Sequence, residues 1–561
     1  MEYKNENKIC QNCKKDFTIE SEDFSFYEKI KVPPPTFCFE CRMKRRMAWR
    51  NERSWHRRVC DATGKPMLSI FRPDAPYKVY EQAYFRSDAW DPMSFGREYD
   101  FTRPFFEQFD ELLKAVPHPN VVTRNGVNSE YTNYCTDAKN VYWSAGFVRV
   151  EDSSYVFGAV TDTKFSVDLY GSNFAEYCYE LIDCVKSYNL FFSQNCEGCV
   201  DSYYLYDCRN CNNCIGCVGL RSQSYCIFNE QYSKEEYFKK LEELKLNSRA
   251  GLSNTQEKFE ELKLKVPRKY AVITKAEKAI GDDVLNARFV NQGFYVRDSE
   301  NVRYSFRVWG NCKDIYDGTI AWDGAELCYD THSVEAQRVN FSSLIWGGFD
   351  IEYSYNCFDC NNIFGCIGLR NKSYCIFNKQ YSKEDYLKLR KEIVDQMLKL
   401  GEYGEFFPAK YSPFGYNETQ AQDYFPLDSE RAGAEGFNWA VLEEKNYDIT
   451  LKNSAIPDIL PDLGILEQVI ECGHGGKCDD NCPRAFKITL FEYNFYKKFN
   501  LPLPTLCPFC RHGERVRKKN PLKLWHRQCM NSGCQNEFET PYSPERPEKV
   551  YCESCYNKEV Y

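Results

Sequence analysis

Paired cysteines at the two ends constrain this chain more than any other feature: Cys10-x2-Cys13 and Cys38-x2-Cys41 at the start, Cys507-x2-Cys510 and Cys552-x2-Cys555 at the finish. Two thiols on one tight turn reach the same ion, and two such turns surround it tetrahedrally. A segment with little core of its own can then hold one shape, because metal binding supplies the folding energy.

The ends are copies of each other. Cys10, Cys13, Cys38 and Cys41 are separated by 24 residues between their pairs, and so are Cys478, Cys482, Cys507 and Cys510. Residues 26–33, Phe-Tyr-Glu-Lys-Ile-Lys-Val-Pro, return as Phe-Tyr-Lys-Lys-Phe-Asn-Leu-Pro at 495–502, an offset of 469. A further ribbon follows at the C-terminus, with Cys529-x4-Cys534, a gap of 17 residues, and Cys552-x2-Cys555. These twelve cysteines predict three four-thiolate sites, and zinc suits them as a soft tetrahedral ion without redox demands, although iron takes the same donors. Cys472 and His474 stand just before the second set, and spacing alone leaves open whether either replaces Cys478. In the N-terminal copy of the last ribbon Cys60 matches Cys529, but Lys65, Glu81 and Tyr84 are expected in the other ligand positions, so that site reads as decayed.

The chain has 561 residues, 30 of them cysteine, which suits several domains and free or metal-bound thiols better than a disulfide scaffold. Met1 to Lys8 runs into Cys10 without an apolar stretch, so a cytoplasmic, membrane-free protein is expected.

The middle is doubled as well. Residues 216–237 recur almost letter for letter at 365–386, an offset of 149. Upstream, Tyr304, Tyr316, Cys328, Asn340, Tyr353, Ile363 and Tyr374 mark a spacing of about a dozen residues, and short β-prone runs alternate with Asp, Asn, Ser and Gly. The fold class predicted is therefore mainly β: a duplicated right-handed parallel β-helix-like solenoid with helical caps, flanked by N- and C-terminal zinc ribbons. Ser233 with Glu236 and Ser382 with Asp385 open the cap helices, which should run to about Leu246 and Leu400. The expected divisions are ribbons over 1–85, a connector over 86–124, solenoids over 125–248 and 286–400 around a helical linker at 249–285, a connector over 401–470, and ribbons over 471–561.

Cys208, Cys211, Cys214 and Cys217 form the densest central group, which invites an iron–sulfur or zinc reading. Their counterparts at the same offset are Cys357, Cys360, Ile363 and Cys366, and a position that accepts isoleucine favours inward-stacked free thiols. Cys226 and Cys375 fall under the same expectation.

Function points first to two basic islands in a chain whose net charge is −8. One holds Arg42, Lys44, Arg45, Arg46, Arg50, Arg53, Arg57 and Arg58; the other holds Arg511, Arg515, Arg517, Lys518, Lys519, Lys523 and Arg527. Cations beside tryptophans can neutralise phosphates and stack on bases, so binding of RNA or a ribonucleoprotein is the leading expectation, without chemistry. A protein-interaction scaffold on the solenoid is the first alternative. A carbohydrate-active enzyme using Asp317, Asp323 or Asp330 is the second.

Five further stretches carry a resemblance: Arg50-Asn-Glu-Arg53, Ser87-Asp-Ala-Trp-Asp-Pro-Met93, Asp100-Phe-Thr-Arg-Pro-Phe-Phe-Glu-Gln-Phe109, Ser412-Pro-Phe-Gly-Tyr-Asn-Glu-Thr419 and Leu501-Pro-Leu-Pro504. Together they resemble a family of uncharacterised zinc-ribbon proteins common in candidate-phyla bacteria. The resemblance implies the same architecture and supplies no catalytic residue. Members of that family often carry cysteines where this sequence has Glu81 and Tyr84.

Overall fold

The computed structural model describes residues 3–441 and 446–560. Its frame is two eleven-stranded sheets, one from Thr123–Val127 to Glu230–Gln231 and the other from Ile273–Thr274 to Lys379–Gln380. Within each, nearly every strand pairs in parallel with its successor, so the protein is mostly β and each sheet is solenoid-like. Val167 lies beside Tyr179, Leu190 beside Ser202, and Cys214 beside Cys226, a register step of 12 residues.

A shorter period underlies that step. Leu190, Ser193, Cys196, Cys199, Ser202, Leu205, Cys208, Cys211, Cys214 and Cys217, every third residue, are all buried. The residue before every one of them has positive φ, among them Asn189, Asn195, Asp201, Asp207, Asn210 and Asn213. Asn, Asp and Gly tolerate the left-handed conformation better than other residues, which explains their density here. Each coil of twelve therefore turns four corners and sends four side chains inward.

Three ladders tie successive coils together. The Oγ atoms of Ser144, Ser166, Ser172, Ser193 and Ser202 accept backbone N–H bonds from residues twelve positions later, at 2.9–3.1 Å. Outside, Asn140 Nδ2 donates to Asp152 at 2.8 Å and Asn189 Nδ2 to Asp201 at 2.6 Å. Phe192 stacks on Tyr204 at 4.8 Å and Phe341 on Tyr353 at 4.9 Å.

Each sheet ends in a strand that folds back antiparallel, Glu230–Gln231 and Lys379–Gln380, and a helix follows directly. Ser233 and Glu236 complete a reciprocal cap on Lys234–Leu244, and Ser382 accepts the N–H of Asp385 to open Lys383–Leu400. Each helix packs against the last parallel strand of its solenoid, Ser224–Ile227 or Ser373–Ile376. The helix Arg249–Lys265 occupies only the first part of the segment expected as a helical linker, since the second sheet already starts at Ile273.

The connections are crosswise. Residues 86–116 pack on the second solenoid, where Asn378 Nδ2 donates to the Pro92 carbonyl at 3.0 Å and Phe105 meets Phe377 at 5.3 Å. Among the described residues no helix is long and apolar enough to cross a membrane.

Candidate metal centres

One backbone pattern builds every ribbon. Cys10 N–H donates to the Lys15 carbonyl, and Cys38 N–H donates back to Cys10 Sγ at 3.2 Å. The same pair of bonds recurs from Cys472 to Arg484 with Cys507 N–H on Cys472 Sγ at 3.3 Å, and from Cys529 to Asn536 with Cys552 N–H on Cys529 Sγ at 3.3 Å. In each case the second ligand of the knuckle stands two residues before the accepting carbonyl: Cys13, Cys482 and Cys534. The third ligand precedes a helix, and the fourth lies in its first turn, as Cys38 and Cys41 do at Phe39–Met47 and Cys507 and Cys510 do at Pro508–Arg517. A helix N-terminus favours the thiolate form there.

Three groups of four sulfurs result: Cys10, Cys13, Cys38 and Cys41; Cys472, Cys482, Cys507 and Cys510; Cys529, Cys534, Cys552 and Cys555. Within each the sulfurs all lie within 4.8 Å of one another. Cys13 and Cys38 are 3.7 Å apart, Cys472 and Cys510 3.7 Å, Cys507 and Cys510 3.5 Å, and Cys534 and Cys552 3.9 Å. A tetrahedron with metal–sulfur bonds of about 2.3 Å has edges of about 3.8 Å, close to these separations, so the donor sets suit such an ion. All thirty cysteines are free thiols, as metal binding requires. Hydrogen bonding with Cys38 pulls the Cys41 thiol down to about 5 against the effect of burial, helped by the Asn12 amide and the charge of Lys44, while Cys38 is pushed up in return. Burial opposes ionisation of Cys552, but Ser554 and Asn536 bring it down to about 6.

Two expected positions move. Cys472, not Cys478, occupies the corner equivalent to Cys10; the chain between the two knuckle cysteines is longer in this ribbon, so alignment by spacing selected the wrong partner. Cys478 lies close by, in a group with His474, Asp480 and the shared Cys510. In the incomplete ribbon, Cys60 N–H donates to the Lys65 carbonyl and Glu81 N–H donates to Cys60 Sγ at 3.3 Å. The backbone rule places Thr63, rather than Lys65, opposite Cys534. Among the described residues no four-ligand group forms around Cys60.

The basic islands do not form an open cationic face. Arg42, Lys44, Arg45, Arg46 and Arg50 are buried. Arg42 pairs with Asp317 at 2.9 Å, Arg46 with Asp330 at 2.6 Å, Arg45 with Glu405 at 2.9 Å, Lys44 with Glu435 at 2.6 Å and Arg50 with Glu52 at 2.6 Å. The second island repeats this on the first solenoid: buried Arg511 and Arg515 each reach Asp168 at 2.8 Å, and Lys519 reaches Asp183 at 2.6 Å. Arg53 pairs with Asp423, and Arg58 and Arg527 are spent partly on backbone carbonyls. Arg57, Arg517, Lys518 and Lys523 remain exposed, with Arg517 paired to Asp480 at 2.6 Å. Local composition signals charge but not what faces it, and here each helix brings two arginines, Arg42 and Arg46 or Arg511 and Arg515, to solenoid aspartates far along the chain.

The other candidates separate equally clearly. Cys208, Cys211, Cys214 and Cys217 point into one coil, and no metal-holding group among the described residues includes them. Asp317 and Asp330 are fully buried against Arg42 and Arg46, which removes them from any solvent-facing reaction. Asp323 is exposed, in an open depression of about 440 Å³ with Glu335 and Asp359.

No family model matches the chain, and no curated protein matches it. Among solved structures, a protein provisionally assigned as an acetyltransferase from Desulfovibrio desulfuricans aligns at 12% identity over 47% of this chain and 71% of its own, with a TM-score of 0.10. A likeness of that size carries no argument about fold or activity.

Proposed function

We propose that this chain is a zinc-stabilised, non-enzymatic scaffold, in which metal ribbons staple two right-handed parallel β-helices into one platform for a protein partner. The resemblance to the zinc-ribbon family agrees with this reading. Zinc is supported by the four-thiolate donor sets and their spacing. The right hand is supported by the strong preference of parallel crossover connections for it.

The observation that carries the scaffold reading is the docking of both basic helices. Arg42 meets Asp317 and Arg511 meets Asp168, so the N-terminal ribbon grips the second solenoid and the C-terminal ribbon grips the first. The ribbons then act as internal clamps, and the outer solenoid faces are left for a partner. Binding of RNA or a ribonucleoprotein retains only Arg57, Arg517, Lys518 and Lys523 as exposed carriers. The carbohydrate-active alternative retains only Asp323 of its named carboxylates.

The test is metal analysis of full-length protein isolated in reducing buffer without chelator, combined with titration of labelled single-stranded RNA at low salt. At least three equivalents of zinc and no salt-dependent RNA binding are expected. Fewer than three equivalents would overturn the zinc reading. RNA binding that weakens with salt and disappears on replacing Arg517, Lys518 and Lys523 by alanine would overturn the scaffold in favour of RNA.

A further inference from the structure

We propose that Cys510 bridges two metal ions, and that His474, Cys478 and Asp480 complete a second site beside the tetrahedron of Cys472, Cys482, Cys507 and Cys510. The ligand atoms of His474, Cys478, Asp480 and Cys510 all lie within 4.8 Å of one another. Cys478 Sγ is 3.6 Å from Cys510 Sγ, the same spacing that Cys507 and Cys472 keep to Cys510 inside the first site, at 3.5 and 3.7 Å. A thiolate sulfur has lone pairs enough for two ions.

Two independent features point to a ligand here. His474 Nδ1 is shielded from solvent and has no hydrogen-bond partner, although a buried imidazole nitrogen ordinarily finds one. Gly513 leaves a notch for Asp480: a Cβ at that position would fall 2.1 Å from Asp480 Oδ1. Arg517 holds the same carboxylate at 2.6 and 3.1 Å, the kind of outer partner that orients a ligating carboxylate.

The sequence insertion has a matching purpose. The first knuckle is Cys10-x2-Cys13 in the N-terminal ribbon and Cys472-x9-Cys482 in this one. All three added donors sit in that longer loop, where Gly475 and Gly476 turn with φ of 55° and 80°. The N-terminal ribbon has no such loop and is expected to hold a single ion. A donor set of two sulfurs, one imidazole and one carboxylate suits zinc. The Cys478 thiolate and the Asp480 carboxylate also balance the charge that the second ion brings.

This rests on the four-cysteine group binding metal, so the experiment separates the two. Full-length protein, purified in reducing buffer without chelator, is expected to hold four zinc ions per chain, the three four-cysteine ions and one more. The His474→Ala, Cys478→Ser double variant is expected to hold three and to keep a cooperative thermal melt at a lower midpoint, since one stabilising ion is gone. Three ions in both proteins would overturn the bridged site and leave the four-cysteine reading standing, whereas fewer than three in the native chain would overturn both. Cadmium-loaded native protein gives a readout independent of any variant: two cadmium resonances coupled through the shared sulfur are expected, and a spectrum of uncoupled resonances would overturn the bridge.

Discussion

Arg42 and Asp317 face each other at 2.9 Å with both side chains almost wholly out of solvent, although 275 positions separate them in the chain. Arg511 and Asp168 repeat the contact at 2.8 Å. The two arginines differ by 469, the ribbon offset, and the two aspartates by 149, the solenoid offset. One ribbon-on-solenoid contact has thus been duplicated together with both of its partners, and each copy joins a chain end to the solenoid more distant in sequence.

Breaking this contact from one side strands buried charge. Asp317→Ala leaves Arg42 and Arg46 without their shared carboxylate and is expected to cost about 3–5 kcal/mol in denaturant unfolding. Arg42→Met combined with Asp317→Leu should cost clearly less, because no lone charge remains at Arg42. A loss below about 1 kcal/mol for the single variant would show that the ribbon is held by other contacts.

Removing the metal should release the clamps before the solenoids. Structural zinc contributes on the order of 10–16 kcal/mol of apparent binding energy in small domains, and each ribbon gathers its turns around four cysteine sulfurs. Chelation in reducing buffer is expected to open the segments around Cys10 to Cys41 and Cys472 to Cys555 to protease while residues 123–231 and 273–380 stay resistant. Uniform proteolysis of the whole chain would contradict this order.

Acid should destabilise the fold partly through His118. Its Nε2–H donates to the Leu113 carbonyl at 2.7 Å, and burial pushes its pKa down to about 4 against that hydrogen bond, with the Arg58 charge adding to the fall. The folded chain keeps this imidazole neutral, while the unfolded chain takes up a proton below about 6.5, so stability falls as pH drops from about 6.5 to about 4. The loss is on the order of 3 kcal/mol at the lower limit. In His118→Gln the slope of stability against pH across that window should be shallower than in the native protein, and an equal slope would exclude the histidine.

The solenoid thiols should be inert filling. Burial pushes the Cys135, Cys178 and Cys328 thiols up to about 12, so alkylating reagents at neutral pH are expected to leave these three unmodified in the native state. Cys211→Ala and Cys214→Ala are expected to leave the metal content unchanged at a cost of about 1 kcal/mol each. A loss of metal in either variant would place an ion inside the coil.

The ribbons could be read from the chain because their ligands lie on tight local turns, where spacing and geometry are nearly the same thing. Cys472 escaped that reading because loop length between two ligands is free; its identity rests on the Cys507 N–H that points at its sulfur. The repeat of about twelve residues was visible in the aromatic and cysteine positions, and the triplet beneath it lay in the Asn and Asp that precede many of the inward side chains, such as Asp207 before Cys208 and Asn210 before Cys211.

Sequence alone thus marked eleven of the twelve cysteines in the three four-sulfur groups, the doubling of both parts and the β character, since each depends on residues near one another or on a repeated pattern. Tertiary structure alone decided the fate of the charges. Arg42 to Arg50 looked like an open cationic surface until Asp317 and Asp330 met it, because whether a charge is solvated or buried depends on which distant carboxylate the fold brings within reach.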